Sequence, residues 1–277
     1  MKYNIYRPSR SLETIVKQYF IITPSKDIEK LMFLPNGGNF MIFNKGIKCT
    51  SRLSDDKVFN IPKGFSVSLK RNKAATLFFD LKTVVDTLDF PIIVVELKPI
   101  GFYKLFNKDA DKLTKHYETI DENITQKYFS KIYTHNSLDE ELEYLDNSLQ
   151  EMELANNNTH LLIEDIIASI INKHYLEVTV EELMTEFGYT RKTMERQFKK
   201  FIGLTPKNFI YILKFCKTFL KYVEQTKSLK DIKYRYSDNA HFNVVFQNIT
   251  GHTPSELFNA VQNDKILIYQ MNRGNKL

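Results

Sequence analysis

The sequence has no apolar run of the length that a membrane span requires. A transmembrane helix takes about 18 or more consecutive apolar residues, and no stretch of the 277 residues comes near that length. The opening residues, MKYNIYRPSRSLE, also lack the apolar core of a secretory signal peptide. We therefore expect a chain that stays in the cytoplasm and has no membrane partner.

Cysteine and histidine are scarce, and neither forms a recognisable metal-ligand pattern. Cys49 and Cys216 lie far apart, and the six histidines show no zinc-type spacing. In a reducing cytoplasm both cysteines would act as small core hydrophobes. Residues 1–155 show no grouping of nucleophile, base and acid and no phosphate-binding loop. We expect no metal, no cofactor and no enzymatic activity.

Positive charge is concentrated in one part of the chain. The formal net charge is +6. Residues 188–235 alone hold 13 Lys and Arg against three acids, a local balance of +10. Such a block indicates a polyanionic partner, with nucleic acid before a membrane surface. On charge alone, a solvated helix face is an equal interpretation.

The first hundred residues are typical of short strands separated by turn formers, which predicts a β-sandwich or barrel. The strand-like segments are IVKQYFIIT, NFMIFN, FSVSLK, TLFFDL and PIIVVELK. Their Phe and Tyr residues could line an effector pocket, although aromatic side chains in a β core more often serve as packing. Five basic residues could attract an anionic ligand or lie on a wet strand face: Lys48, Arg52, Lys70, Arg71 and Lys73.

A heptad pattern follows in SLDEELEYLDNSLQEMEL. Ser137 and Glu140 have the spacing of a capping box at the start of a helix. The apolar positions repeat every three or four residues, which is the pattern of a coiled-coil seam. A dimer seam and a helix packed on its own β domain both fit this pattern, and we favour the dimer. The seam residues are Leu138, Leu142, Leu145, Leu149 and Met152.

The rest of the chain divides into a linker, a helical domain and a tail. The run Asn156-Asn157-Asn158 is polar and poor in helix propensity, so we place a linker at 156–160 after a first domain at 1–155. Helical periodicity then continues through 161–262, with Thr179 and Glu182 as a second capping box. Residues 263–277 are expected to form a C-terminal tail.

One pattern occurs twice in the helical domain. Residues 188–206 read GYTRKTMERQFKKFIGLTP, and residues 236–254 read YSDNAHFNVVFQNITGHTP. We call these the first copy and the second copy. Each has a helical segment before it, then a turn and a hydroxyl residue that can cap a second helix, which is the helix-turn-helix arrangement. Gly188 suits a left-handed turn residue.

The first copy has the side chains that a helix in the DNA major groove needs. Lys192, Glu195, Arg196 and Lys199 share one helix face, while Met194, Phe198 and Ile202 share the opposite one. Arg196 could bind guanine in bidentate fashion, and Glu195 could accept from cytosine. The expected phosphate contacts in both copies are Thr190, Arg191, Lys199, Lys200, Lys207 and Ser237.

The C-terminal sequence closely resembles the DNA-binding domain of the AraC/XylS family of bacterial transcription regulators. The matching segments are EELMTEFGYTRKTMERQFKKFIGLTPKNFI and SDNAHFNVVFQNITGHTPSELF. The resemblance implies two helix-turn-helix units joined by a long helix from Pro206 to about Gln225. It also implies base-facing positions at Lys192, Glu195 and Arg196 in the first copy. In the second copy these positions are Asn239, Ala240, His241, Asn243 and Val244.

Three positions depart from the family pattern. Arg235 stands where the second unit normally has Gly, and the helix from Ile232 to Asp238 is shorter than usual. Met184 stands where a small residue is typical. The N-terminal segments YRPSRSLETIVKQYF, FLPNGGNFMIFN and VVELKPIGFYKLF resemble, more loosely, the β-rich sensory half of family members. This implies an α+β protein whose N-terminal domain is a cupin-like β-barrel followed by helices.

The resulting hypothesis is a sequence-specific transcription regulator that binds double-stranded promoter DNA. We expect the first copy to supply most of the affinity. The expected partners are RNA polymerase, a second copy of the chain in a homodimer, and a small-molecule effector of unknown identity. The alternatives are a DNA-tethered enzyme and a non-specific architectural protein. Unequal charging of the two reading helices argues against the latter, because phosphate binding alone would charge both.

Overall fold

The computed structural model describes most of the chain, and the structural statements below concern the described residues. These are residues 2–23, 30–45, 49–53, 58–61, 64–68, 74–79, 91–112, 117–119, 121–156, 160–173, 178–225, 239–262 and 267–268.

The N-terminal half contains two β-sheets. The described strands are β1 Lys2–Tyr6, β2 Val16–Thr23, β3 Lys30–Phe33, β4 Phe40–Asn44, β5 Cys49–Leu53, β6 Val58–Ile61, β7 Gly64–Ser68, β8 Ala75–Phe79, β9 Ile92–Leu97 and β10 Tyr117–Thr119, with β11 Leu267–Ile268 from the C-terminus. One sheet has the order β1-β2-β9-β4-β7-β10, and the other has the order β11-β3-β8-β5-β6. All described pairs are antiparallel except β11 with β3.

The two sheets pack face to face over an apolar core. Alternate residues of a strand face opposite sides of its sheet. In β9, Ile92 and Val94 accordingly join the core between the sheets, whereas Ile93 and Val95 join a cluster on the outer face. Cys49 lies in the core between the sheets, as expected of a small hydrophobe.

Three helices cover the outer face of the six-stranded sheet: α1 Gly101–Phe106, α2 Glu122–Phe129 and α3 Leu138–Ala155. The expected N-cap of α3 is confirmed, since the Ser137 hydroxyl accepts the Glu140 N–H at 3.2 Å. The Asp146 carboxylate on α3 accepts from the Tyr19 hydroxyl and from the Ser9 N–H. The helix is thus attached to β2 and to the segment before it.

The heptad stripe of α3 packs inside this chain and does not form a dimer seam. Its members lie in the cluster of the outer sheet face, where Leu138 is partly buried and the other four are buried: Leu138, Leu142, Leu145, Leu149 and Met152. The preference for a dimer seam was therefore wrong, and the alternative of a helix packed on its own β domain is correct. An apolar stripe shows that a helix face is covered but does not identify the covering surface.

The C-terminal half is helical. Its described helices are α4 Leu162–Asn172, α5 Val180–Phe187, α6 Arg191–Ile202, α7 Pro206–Gln225, α8 Asn239–Thr250 and α9 Pro254–Gln262. A β-rich N-terminal region followed by a helical region confirms the expected α+β class. The cupin-like detail and the exact domain boundaries stay predictions.

The two halves touch at several places. Lys104 on α1 forms a largely buried ion pair with Glu164 on α4 at 2.8 Å. The Asn156 side chain, in the expected linker, donates to the carbonyls of Lys104 and Leu105 at 3.1 and 2.8 Å. Within the expected tail, Leu267–Ile268 pairs with β3. Asn156 of the expected linker and Leu267–Ile268 of the expected tail therefore both contact the N-terminal half.

Candidate nucleic-acid interface

The first copy forms a helix, a tight turn and a second helix. Thr179 caps α5, and Glu182 returns the bond to the Thr179 N–H, so the expected capping box is present. Gly188 ends α5 in the left-handed conformation at φ 66°. Thr190 then caps α6 by accepting the Thr193 N–H at 3.3 Å. The two caps and the left-handed glycine were all predicted from the sequence, and the structure confirms them.

Helix α6 has one buried face and one exposed face. Met194, Phe198 and Ile202 are fully buried in a cluster with α4, α5 and α7. On the other side Lys192, Arg196 and Lys199 are exposed, and Glu195 is half-buried. The structure therefore brings together the four side chains that the spacing placed on one face. A convex helix face with three cations and one carboxylate can donate to guanine edges and phosphates and accept from cytosine.

Arg191, an expected phosphate contact, lies at the start of α6 between two carboxylates. Its guanidinium is 3.6 Å from Glu195 and 3.8 Å from Glu181. All three side chains are substantially exposed, and such surface pairs contribute little to stability. The guanidinium can therefore exchange these partners for a phosphate at small cost.

The other expected phosphate contacts of the first copy differ in their surroundings. Lys207, at the start of α7, is exposed. The Lys200 ammonium instead lies 5.0 Å from the Phe201 ring and 5.6 Å from the ring of Tyr103 on α1. Lys200 thus sits on the flank of α6 nearest the N-terminal half. The Thr190 hydroxyl is already engaged in the cap.

The second copy repeats the frame of the first. Phe246 on α8 is buried like Phe198. Gly251 has φ 78° and Gly203 has φ 77°, so both copies end their second helix in the left-handed conformation. Thr253 then caps α9 and forms a capping box with Glu256. From α8 onward, the second copy therefore shares the buried ring, the left-handed glycine and the following cap with the first copy.

The surface of the second copy differs from that of the first. Val244, at the position of Arg196, is 58% exposed, and Asn243 is exposed beside it. The side chains of Asn239 and His241 lie outside the described residues, as does the whole of Ser237. The unusual Arg235 and the short helix before Ser237 are likewise outside them. The side chains described on this face, Asn243 and Val244, carry no charge.

Sequence reasoning missed the contacts that the two copies make with the N-terminal half. Ile100 and Tyr103 reach the core of the first copy, where Tyr103 meets Phe201 edge to face at 4.6 Å. Met32 and Leu34 reach the core of the second copy. No spacing pattern distinguishes these residues from ordinary strand and helix core positions.

Among the residues that the structure describes, no cluster of His, Cys, Asp or Glu could hold a metal ion. A search of the same residues finds no helix both long and apolar enough to cross a membrane.

Comparison with known proteins addresses the C-terminal half. Residues 183–260 match the family model described as "Helix-turn-helix domain". The HTH-type transcriptional activator RhaS of Enterobacter sp. (strain 638) is 28% identical over 106 residues, which cover 38% of this chain and 37% of the relative. RhaS of Escherichia coli (strain K12 / DH10B) is 28% identical over 113 residues, covering 40% and 39%. The chain thus matches well under half the length of these curated relatives.

Two solved structures align with this chain at low identity. ToxT from Vibrio cholerae is 13% identical, with 93% of this chain and 97% of that one covered and a TM-score of 0.46. The AraC-like transcriptional activator CuxR is 11% identical, with 74% of each chain covered and a TM-score of 0.27. Neither likeness is strong enough to add to the assignment.

The C-terminal part of the chain is a helix-turn-helix domain, as its family match and the geometry of the first copy show. The helix-turn-helix match and the similarity to RhaS cover the same part of the chain as the two repeated motifs that resemble the AraC/XylS family.

Proposed function

We propose that the protein is a sequence-specific DNA-binding transcription regulator. The observation that carries this proposal is the exposed face of α6. Lys192, Arg196 and Lys199 project from a helix that is fixed by a tight turn and a buried apolar face. Such a helix fits the major groove, where base edges can be read.

Within the first copy, each side chain has a distinct proposed role. Arg196 donates to guanine, Glu195 accepts from cytosine, and Lys192 contacts a further base. The phosphate contacts, which position the helix without reading sequence, come from the surrounding cations and the cap. They are Thr190, Arg191, Lys199, Lys200 and Lys207, of which Lys207 is exposed and Lys200 lies nearest the N-terminal half.

For the second copy we propose a weaker role in DNA reading. Asn239, His241 and Asn243 would contact bases, and Ser237 would contact a phosphate. The exposed Asn243 supports this, whereas the exposed apolar Val244 indicates less affinity than at Arg196. We further propose that residues 161–262 hold two helix-turn-helix units joined by α7.

We propose that the β-rich region at 1–155 is a regulatory domain related to the cupin-like domains of the family. Linker 156–160 would connect it to the DNA-binding domain. RNA polymerase and a small-molecule effector are proposed partners, and the site of action is the cytoplasm. We also propose a homodimer whose interface lies outside the α3 stripe, because that stripe is covered within the chain.

The test is DNA binding by Arg196→Ala at a site selected from randomised DNA. We expect the variant to lose about 1–3 kcal/mol of binding free energy at the selected site. Binding to random DNA of equal length should change little. Direct titration at fixed salt measures both. Equal losses on both DNAs would contradict base reading and favour an architectural protein.

Two further variants serve as matched controls. Lys207→Ala should weaken binding to all sequences alike and reduce the slope of log K against log salt by about 1. Val244→Ala, at the equivalent helix position to Arg196, should change sequence preference much less. Loss of preference in Val244→Ala would show that the second copy, and not the first, reads the site.

A further inference from the structure

Strand β3 and the residue after it contribute to two hydrophobic cores at once. Leu31 and Phe33 join the core between the two sheets. Met32 and Leu34 join a different cluster, formed with helices of the C-terminal half. All four side chains are buried. Because successive side chains point to opposite faces of a strand, one short segment links the β-sandwich to the helical domain.

The second cluster is the core of the second copy. Phe246 on α8 packs against Phe215 and Phe219 on α7, with ring centroids 5.4 and 5.3 Å apart. Val245, Ile249 and Leu257 complete the helical side, and the N-terminal half adds Met32, Leu34 and Ala74. The N-terminal residues are therefore part of this core and not a rim around it.

The turn after β3 continues along α7. The Cys216 thiol donates to the Pro35 carbonyl at 2.8 Å. Gly37, at φ 80°, lies so close to the Phe209 ring that a β-carbon at this position would clash with it. We call residues 32–38 the docking segment, since it meets α7 and α8 at several successive points.

A buried carboxylate holds the docking segment in place. Glu96 on β9 is fully buried and accepts hydrogen bonds from Lys17 at 2.9 Å and Gln18 at 2.7 Å. It also accepts from the Asn36 amide in the turn. The Asn36 side chain in turn accepts the Gly38 N–H at 2.8 Å. A buried carboxylate is tolerated when it is paired in this way, and losing its partners is costly.

A backbone hydrogen bond also joins the N-terminal half to the end of α8. The Ala74 N–H, just before β8, donates to the Ile249 carbonyl in the last turn of α8 at 2.7 Å. Carbonyls in the last turn of a helix have no partner within the helix. The N-terminal half therefore supplies both side chains to the core of the second copy and a hydrogen-bond donor to the end of α8.

We propose that the second copy is ordered by docking on segment 32–38, with Glu96 as the positioning residue that holds this segment. The N-terminal region thereby controls whether α8 is presented to DNA as a rigid helix. Helix α6 of the first copy keeps its order when Leu34 is truncated, because Leu34 lies in the core of the second copy. The ordering follows from packing alone, whereas its consequence for DNA reading rests on the function proposed above.

The test compares two leucines of the same short segment in the full-length protein. Leu34 and Leu31 are both fully or almost fully buried, but Leu34 faces the second copy and Leu31 faces the sandwich core. In hydrogen–deuterium exchange, Leu34→Ala should speed exchange of α8 amides by about tenfold or more, because core Leu-to-Ala truncations are strongly destabilising. Exchange in α6 should stay as in the wild type. Leu31→Ala should instead act first on β3, β5 and β8.

Thiol alkylation gives a second readout with its own matched control. Burial raises the pKa of the Cys216 thiol to about 12, and burial raises that of Cys49 to about 12 as well. Since the thiolate is the reactive form, both should react slowly with iodoacetamide in the wild type. Leu34→Ala should speed alkylation of Cys216 and leave Cys49 slow, and Leu31→Ala should affect Cys49 first. Unchanged α8 exchange and unchanged Cys216 alkylation in Leu34→Ala would overturn the proposal.

Substitution of Glu96 tests the positioning role. Glu96→Ala should speed exchange more in α8 than in α6, although the turn that Glu96 holds also contacts Phe209 in the core of the first copy. Glu96→Gln, which keeps one carbonyl acceptor, should restore part of the protection. If Glu96→Ala loosened α6 and α8 equally, the residue would be a general stabiliser and the positioning role would be wrong.

A footprint on the selected DNA site separates this proposal from the proposed function. The wild type should protect two adjacent half-sites, one read by each copy of the motif. Leu34→Ala should protect the half-site that the first copy reads and leave the other exposed. Protection of both half-sites by Leu34→Ala would overturn the control of DNA reading. If the wild type protects no DNA, the proposed function fails, while the difference in exchange between α6 and α8 still supports the docking.

Discussion

From the second helix of each copy onward, the two copies share a buried ring, a left-handed glycine and a capped following helix, but they differ in what packs against them. The core of the first copy is built mainly from α4 to α7, and among the described residues the N-terminal half adds Ile100 and Tyr103 to it. The core of the second copy has fewer helical residues and takes in Met32, Leu34 and Ala74. Both copies therefore contact the N-terminal half, the first also through the short helix Ala110–Lys112 beside α6. The N-terminal half supplies three buried residues to the smaller core of the second copy but one, Ile100, to the larger core of the first.

The exposed face of the second copy also carries less charge than that of the first. The first copy exposes Lys192, Arg196 and Lys199, and the described face of the second exposes Asn243 and Val244. A charged face gains affinity from phosphates on any DNA. An uncharged face contributes only where its geometry fits, so its contribution is sensitive to how firmly the helix is held. Dependence on a neighbouring domain therefore has its largest effect on the copy with less charge.

The largest expected effects come from removing the buried ring of each copy. Phe198→Ala and Phe246→Ala should each cost about 3–5 kcal/mol of local stability, because both leave a cavity in a packed core. The two variants should differ in which elements they destabilise. Phe198→Ala should speed hydrogen exchange in α5 and α6, whereas Phe246→Ala should also speed exchange in β3. Exchange resolved by element, with urea unfolding for the totals, measures both.

Phe198→Ala is the control for Phe246→Ala, since both rings occupy the same position in the repeat and are buried to the same degree. Wild-type exchange in β3 of Phe246→Ala would break the comparison, because it would show that the second copy does not share its core with the N-terminal half.

The sequence was sufficient for features that depend on neighbours along the chain. Thr190, Gly188 and the buried ring Phe198 follow from caps, turn chemistry and helical spacing, and the structure has them where they were expected. The β-branched run of Ile and Val in β9 likewise indicated a strand, although a strand that is apolar on both faces gives no sign of which face meets which layer.

Features that depend on residues far away in the chain could not be predicted from the sequence. The stripe ending at Met152 fits a dimer or an internal contact equally well, and the structure shows the internal contact. Met32 and Leu34 sit in a run of apolar residues, so no alternation marks their separate destination. In the sequence, Glu96 has the character of a polar residue near the end of a strand. It is nevertheless fully buried, because Lys17, Gln18 and Asn36 from other segments donate hydrogen bonds to its carboxylate.

A smaller effect is expected from the left-handed glycines. Gly203→Ala and Gly251→Ala should each cost about 1 kcal/mol of unfolding free energy, since a β-carbon disfavours a positive φ. The two costs should be equal because φ is 77° in one and 78° in the other. Thermal unfolding of each variant measures this.

Asparagine tolerates the left-handed region better than alanine, so Gly203→Asn and Gly251→Asn serve as controls and should recover part of the loss. A clear loss at Gly203 with none at Gly251 would show that the end of α8 relaxes where the end of α6 cannot. The equivalence of the two frames would then fail at that point.

The smallest expected effect concerns pH and separates the copies by one carboxylate. At equivalent positions the first copy has Thr205 with Asn208, and the second has Thr253 with Glu256. The Thr253 backbone N–H, followed by its hydroxyl, lowers the pKa of Glu256 below its ordinary value of 4.5. A lowered pKa means that the ionised form stabilises the start of α9 above the ordinary pKa, and that this support is lost as the pH falls through the lowered value.

Acid should therefore loosen the start of α9 and leave the start of α7 unchanged, because Asn208 does not titrate. Carboxyl NMR titration measures the pKa of Glu256, and amide exchange at the two helix starts, corrected for the intrinsic pH dependence of exchange, measures the consequence. In Glu256→Gln the difference between the two starts should no longer depend on pH, since the amide keeps an acceptor but carries no proton equilibrium. Equal acid sensitivity of both helix starts in the wild type would assign the effect to the whole domain and remove this distinction between the copies.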